Sequence, residues 1–333
     1  MKKLYIIIVF VFGSFATQAQ DFDLYLEAGA SDANKLLENY FAPAFKGFGY
    51  GLNGGWLNTA KPHKSLGFDI TISTSLARVP DSDLLFSFVN SDYSNIQLRN
   101  GSSADIPTFF GPRTNPDNLP ELVVNPGTTE EFRFTAVQGF DIEEEFQLNA
   151  VPAVMGQLGI GLFKNTELKI RWTPELEIDD EGSSFKLIGF GVLHDVKQWI
   201  PGLKLVPIDL SAFVGYTSMT TEYVIDANPS NVQKGVFDVN GLVIQAMVSK
   251  QLSILTLYGG VGFNSSTTNL TLQGDYDTGT IDLPNDPIDF NFSTSSPRAT
   301  VGFRLKLAVL TIHADYTLQE YNLITAGVGL SVR

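Results

Sequence analysis

The chain has 333 residues with 22 Lys and Arg against 36 Asp and Glu, a formal charge of −14, and no cysteine. An acidic chain lacks the basic face that phosphate contacts need, which excludes nucleic acid as a partner, and the missing cysteines exclude disulfides, thiolate metal sites, a thiol nucleophile and a lipid-modified N-terminal Cys. Only 17% of residues are charged while 30 are Gly and 25 are Phe, a balance that suits a membrane barrel better than a soluble α/β enzyme.

Lys2 and Lys3 precede an apolar run from Leu4 to Phe15, and Thr17-Gln18-Ala19 follows with small residues, so residues 1–19 read as a cleaved secretory signal. That run is too short to span a bilayer as a helix, which needs about 20 apolar residues. Removing Lys2 and Lys3 leaves 20 basic against 36 acidic residues, a charge of −16. Residues 20–46 are expected to form a helical hatch or periplasmic segment. Ser31 or Asp32 caps a helix with Ala33, Leu36, Leu37, Tyr40 and Phe41 on one side, and Pro43 stops it. This helix either packs under a barrel or plugs it.

From Gly47 the pattern switches to period two, with Phe48, Tyr50, Leu52 and Trp56 on one face and Gly47, Gly49, Gly51, Asn53 and Gly55 on the other. Leu66, Phe68, Ile70, Ile72 and Leu76 then alternate with Gly67, Asp69, Thr71, Ser73 and Ser75, so residues 47–56 and 66–76 are predicted as an antiparallel pair. Residues 80–147 read mostly as a long loop, with a short helix at Asp83 to Val89 and a strand at Glu131 to Phe140 as an open alternative. Nine strands follow, near 153–163, 167–178, 185–195, 207–224, 235–250, 253–272, 289–307, 309–319 and 322–333. The total is eleven without the 131–140 strand and twelve with it. Bacterial barrels normally have an even count, yet twelve would put the 80–130 stretch on the side where connections are short.

The predicted fold is an all-β antiparallel transmembrane β-barrel of about 12 strands (range 10–14) over residues 47–333. Several strands reach 11 residues or more, longer than the sandwich norm of roughly 5–6. Lys250-Gln251 and Ala308 are tight turns, whereas 226–234 and 275–289 are long, the barrel habit of short periplasmic turns and longer external loops. The C-terminus is therefore expected on the periplasmic side. An aromatic final residue, the usual insertion signal of barrels, is replaced here by Val332-Arg333.

If the apolar face is outward, the lumen carries Asp69, Lys169, Arg171, Glu175, Glu177, Asp209, Arg304, Lys306, His313 and Asp315. Such a mixed-sign set either stiffens the barrel through ion pairs or forms a polar constriction that selects solutes by charge. Gly47, Gly49, Gly51 and Gly55 share the inward face with Gly327 and Gly329 of the last strand. A strand glycine often marks close approach of another backbone. The helix of Leu36, Leu37, Tyr40 and Phe41 is therefore expected to rest on that strip, unless glycine merely permits bending there.

No catalytic residue, metal or cofactor is expected. Asp277-Thr278-Gly279 has no second copy to share a proton, and the spacing Asp275, Asp277, Gly279, Asp286 departs from a calcium loop. Neither G-x-S-x-G nor H-E-x-x-H occurs. A hydrolase would need a Ser within hydrogen-bond reach of His313 or His194, but Asp315 and nearby basic residues give His313 a simpler role as a lumen hydrogen-bonder. Acidic stretches such as 141–145 and 179–181 read as solvated, with divalent-ion bridging to lipopolysaccharide as the alternative.

The run Pro152-Ala-Val-Met-Gly-Gln157-Leu-Gly-Ile-Gly161-Leu-Phe-Lys164-Asn-Thr166-Glu-Leu-Lys-Ile-Arg171-Trp-Thr-Pro174 resembles an uncharacterised family of Bacteroidota outer-membrane barrel proteins. The run from Gly189-Phe-Gly-Val-Leu-His194-Asp195 to Lys197-Gln-Trp199-Ile-Pro201-Gly202 does so too. The likeness implies a barrel and no activity. More distantly, Asp32-Ala33-Asn34, Pro43 and a following strand look like the hatch of the FadL-like long-chain fatty acid transporter barrels. The expectation is a monomer in the outer membrane of a Gram-negative bacterium, passively transporting small, apolar molecules through binding and diffusion. Its partners would be outer-membrane lipid, lipopolysaccharide, the barrel-assembly machinery and an unidentified small-molecule ligand. The alternative is a non-transporting barrel that docks other outer-membrane or secreted proteins; a lumen closed by ion pairs and hatch would favour it.

Overall fold

A computed structural model of the chain describes residues 29–179, 181–226, 231–274 and 288–332. The expected signal peptide, the start of the hatch at 20–28 and the Asp-Thr-Gly and calcium-like motifs at 275–286 lie outside those residues. Five strands open the chain order: β1 (Phe68–Arg78), β2 (Leu85–Val89), β3 (Ile96–Leu98), β4 (Ser103–Pro107) and β5 (Glu121–Val124). Next come β6 (Phe132–Thr135), β7 (Ala150–Gly161), β8 (Thr166–Glu177), β9 (Ser184–Asp195) and β10 (Asp209–Asp226). The last five are β11 (Gln233–Leu252), β12 (Leu255–Gln273), β13 (Ile288–Leu307), β14 (Leu310–Leu318) and β15 (Leu323–Val332). A closed antiparallel barrel runs in the order β1-β15-β14-β13-β12-β11-β10-β9-β8-β7, so β1 and β7 meet directly.

The wall is inside out relative to a water-soluble sandwich. Phe68, Ile70 and Ile72 of β1 are exposed while Asp69, Thr71, Ser73 and Ser75 between them are buried. Leu310, Ile312, Tyr316 and Leu318 repeat this on β14 around buried Thr311, His313, Asp315 and Thr317. Period-two side chains that are apolar outside and polar inside need a lipid surround.

Ten strands close the barrel, not the twelve expected. Residues 47–56 are not a strand: helix α1 (Ala30–Leu52) runs through them. Phe48 and Leu52 are four residues apart, as are Gly47 and Gly51, so the stretch satisfies a helical repeat as well as an alternating one. Gly47, Gly49 and Gly51 therefore sit on the helix and not on the barrel wall. Pro43 lies inside the helix and does not end it. An interior proline costs about 3 kcal/mol, and a cost of that size is offset when the following turns bury Ala44, Phe45 and Phe48 at roughly 1.5–3 kcal/mol per large apolar side chain. With the first strand withdrawn and 131–140 reduced to β6, which pairs outside the barrel, the count is even and the parity conflict disappears.

The expected loop at 80–147 is a folded cap. It holds two small sheets, β2-β4 and β3-β5-β6, and a short helix α2 (Ile142–Phe146). The expected helix at 83–89 is a single 3-10 turn, Asp81–Asp83, followed by β2. Phe88 stacks on Tyr93 with ring centroids 4.3 Å apart, over Ile96, Ile106, Leu122 and Val124. Its strands have three to five residues, too short for periodicity to declare them. The cap sits at the end of the barrel that also bears the β8–β9, β10–β11, β12–β13 and β14–β15 connections. At the other end, β11 and β12 are joined by Ser253 and Ile254 and β13 and β14 by Ala308 and Val309.

Candidate functional site

Helix α1 fills the lumen. Its 23 residues span roughly 35 Å at 1.5 Å per residue, entering from the cap and packing on β1, β7, β11, β12 and β13. At its start the Asp32 carboxylate accepts the backbone N–H groups of Ser94 and Asn95 from the cap, at 3.0 and 2.6 Å. Tyr40 donates its hydroxyl to the Gln138 carbonyl at 3.0 Å, and Phe41 lies on Phe109. Phe45 meets Phe237 and Phe290 at centroid distances of 5.5 and 5.3 Å. Leu36, Leu37, Tyr40 and Phe41 thus join the core shared with the cap, and no glycine strip receives them.

The glycines act from the other partner. A Cβ on Gly49 would lie 2.0 Å from Ser266 Oγ, one on Gly47 2.3 Å from Val151, and one on Gly51 2.9 Å from the Ala153 Cβ. Bare helix positions let the wall close onto the helix. Gly327 makes room for the His313 ring and Gly329 for Thr71 and Thr311. Gly55, at φ +68, adopts the left-handed conformation that turns the chain after the helix.

The helix C-terminus is held by two arginines from the wall. Arg171 on β8 donates to the carbonyls of Leu52 and Gly54 at 2.7 and 2.6 Å, and Arg298 on β13 to that of Asn53 at 2.8 Å. The last carbonyls of a helix have no partner of their own and carry the negative end of its dipole, so those of Leu52 and the C-cap residue Asn53 take guanidinium donors, as does that of Gly54 just beyond. Arg171 is fully buried, bonds Gln157 Oε1 at 3.2 Å and lies 3.6 Å over the Trp56 ring.

Beyond Trp56 the chain runs to the tight-turn mouth and a charged cluster. Lys169 Nζ is 2.6 Å from Glu167 and 3.8 Å from Asp69, all three buried. Both the backbone N–H and the ring Nδ1 of His63 meet Glu167 Oε2 at 2.8 Å, and Nε2 lies 3.0 Å from Ser331 Oγ. Lys306 Nζ donates to the same Oγ at 3.1 Å. His63, Asp69 and Glu167 could present ligand atoms within 4.8 Å of one another, but the Lys169 ammonium already partners both carboxylates, and the arrangement is an ion cluster. Tyr258 donates to Asp315 Oδ2 at 2.9 Å.

At the cap mouth Lys46 of α1 is 3.0 Å from both Asp83 of the cap and Glu320 of the β14–β15 connection. Tyr50 donates to Glu320 at 2.6 Å and Tyr321 to Asp83. Burial alone would raise the Asp83 carboxyl. The hydrogen bonds from Tyr321 and Lys46 outweigh it and hold the group below its ordinary value of 3.8.

Of the expected lumen set, Asp69, Lys169, Arg171, Arg304, His313 and Asp315 are buried inside the barrel. Asp209 and Lys306 are half-buried at the tight-turn end, Asp209 in register with Ser249. Glu175 and Glu177 are exposed instead. Pairing of β8 with β9 stops at Thr173↔Leu187 and resumes at Leu176↔Phe185, a bulge that reverses the inward and outward positions past Pro174. Among the described residues no serine lies in hydrogen-bond reach of His313 or His194: His194 bonds Thr166, Gln198 and Trp199, and both His313 ring nitrogens are buried without a hydrogen-bond partner. Sequence reading missed Arg298 and Glu167, although both have the same parity as residues it chose on β13 and β8. His63, placed in a polar turn, gave no signal.

A family of unknown function, DUF6588, matches residues 1–332. The chain belongs to that family. No curated protein matches it. Among solved structures, this DUF6588 member is similar to the attachment invasion locus protein Ail of Yersinia pestis, at 9% identity and a TM-score of 0.26 over 80% of this chain and 98% of that one. It is also similar to the translocator domain of autotransporter NalP from Neisseria meningitidis, at 10% identity and a TM-score of 0.25, covering 81% and 90%. The TodX monoaromatic hydrocarbon channel is similar at 9% identity and a TM-score of 0.25, covering 81% and 67%.

Proposed function

We propose that this protein is an outer-membrane barrel of a Gram-negative bacterium that does not conduct, and whose work is to hold a structured cap at the cell surface as a docking component for other outer-membrane or secreted proteins. The observation that carries this reading is the capture of Leu52, Asn53 and Gly54 by Arg171 and Arg298, which fastens a lumen-filling helix to both sides of the wall. Short turns mark the periplasmic end and the cap the outer one. Planar-bilayer conductance of the refolded chain tests it: silence is expected, with channels appearing when residues 20–52 are deleted. Steady conductance through the intact protein would overturn the reading.

Passive transport of small apolar molecules is the second reading, and one feature favours it. β7 and β8 pair only from Gln157↔Arg171 to Gly161↔Glu167, leaving Ala150–Gly156 and Trp172–Glu177 unpaired with each other. Pro152 and Pro174 fall in those stretches and supply no N–H to bridge them. An apolar molecule entering the wall there would meet α1, so this reading needs a binding assay with a hydrophobic fluorophore, quenched by Trp172. A signal that Trp172→Phe leaves unchanged would remove it.

A further inference from the structure

The charged cluster at the tight-turn mouth contains an arrangement that ion pairing does not require. Lys169 reaches both Asp69 and Glu167, and His63 Nδ1 lies 2.8 Å from Glu167 and 3.7 Å from Asp69, yet the far nitrogen of His63 is turned onto Ser331. Glu167 Oε2 is only an acceptor, so His63 Nδ1 carries a proton, and in the neutral ring Nε2 is then left bare. Lys306 is only a donor to Ser331 Oγ, so the serine's own proton points to Nε2. A hydroxyl aimed at the free nitrogen of an imidazole whose other nitrogen is held by a carboxylate is the geometry of an activated nucleophile.

We propose that Ser331, His63 and Glu167 form an acyl-transfer site, opening at the tight-turn mouth, that hydrolyses carboxylic esters carrying an anionic group. Ser331 Oγ bonds to the ester carbonyl carbon as its proton passes to His63 Nε2. The carbon–oxygen bond to the alcohol breaks, and the departing oxygen takes that proton. Water then attacks the acyl-serine, giving one proton to Nε2, and the carboxylic acid leaves as Ser331 recovers it. Glu167 is a positioning residue, holding the Nδ1 proton throughout. The preference for an anionic substrate follows from Lys306 at 3.1 Å from the nucleophile and from exposed Lys61 and Lys64 on either side of His63. Ser331 is 1% exposed, and the half-buried Lys306 side chain is the group that must swing aside to admit a substrate.

The test is labelling of the refolded full chain in detergent micelles with an alkyl fluorophosphonate, read by intact mass and peptide mapping. Electrophoretic heat-modifiability serves as the control for a closed barrel. Label on Ser331 is expected, absent from Ser331→Ala, slowed at least about tenfold in His63→Gln as befits a general base, and faster in Lys306→Ala. Glu167→Gln should move the pH profile of labelling as well as its rate, which a packing role would not do. Folded wild type and folded Lys306→Ala that both stay unlabelled would overturn the proposal, as would label that persists in Ser331→Ala.

Discussion

The two halves of the lumen are built by different means. Toward the cap, α1 is held mainly by aromatic side chains, Phe45 between Phe237 and Phe290 and Phe41 on Phe109, with ionic contacts at Lys46 and, more exposed, at Lys35. Toward the tight turns, the helix end and the linker after it are held by hydrogen bonds from Arg171, Arg298, Gln157 and Ser211 to backbone carbonyls, and Ser249 Oγ accepts from the Ala60 N–H. In the apolar half a swap of similar volume is expected to cost little, usually under about 1.5 kcal/mol. The polar half has no such latitude, because each removed donor strands a buried carbonyl.

That difference can be broken first at Arg171. Arg171→Ala orphans the Leu52 and Gly54 carbonyls at about 1–3 kcal/mol each, so the unfolding free energy in urea should fall by roughly 2–6 kcal/mol, and Arg298→Ala, with one carbonyl, by about half that. A loss for Phe45→Leu as large as for Arg171→Ala would erase the distinction. Gly49→Val drives a side chain into Ser266 and should cost about 1–3 kcal/mol, while the same change at Gly202, where nothing lies within 4 Å, tests conformation alone.

The Lys46–Asp83 clamp at the cap responds to pH. Because the Asp83 carboxyl is held below 3.8 in the folded protein, its contribution is complete above that value and is lost as pH falls through the depressed one. Protection of cap amides, taken relative to the intrinsic exchange rate at each pH, should fall below pH 4 in the wild type, and Asp83→Asn should show the lower protection already at neutral pH. Smallest is the half-exposed Lys234–Glu222 pair at 2.8 Å: Lys234→Ala should change stability by less than about 1 kcal/mol.

Where the barrel wall was legible, the cause is lipid. A surround that rewards apolar side chains outside forces strict alternation, and the strands from β7 to β15 lie within about three residues of their predicted bounds at each end. Asp69, Lys169 and Arg304 were found as the opposite parity of those apolar residues. Glu175 and Glu177 were misplaced because a bulge at Pro174 is invisible to parity. The helix was cut short because Pro43 usually stops one, and because glycines alternating with Phe48, Tyr50 and Leu52 fit both periods. His63 and Ser331 are 268 positions apart, and only closure of the barrel brings them together.

If α1 occupies the lumen and seals it, a pair of introduced thiols will report it directly, since the chain has no cysteine of its own. Gly51→Cys and Ala153→Cys would place Cβ atoms close together, 2.9 Å apart before adjustment against the roughly 3.8 Å of a disulfide. In outer membranes under mild oxidation, an internal cross-link joining α1 to β7 is expected in nearly every molecule, and none with Gly202→Cys in place of Gly51→Cys. Two free thiols that both react with a small aqueous maleimide would show a helix outside an open barrel and contradict a sealed lumen.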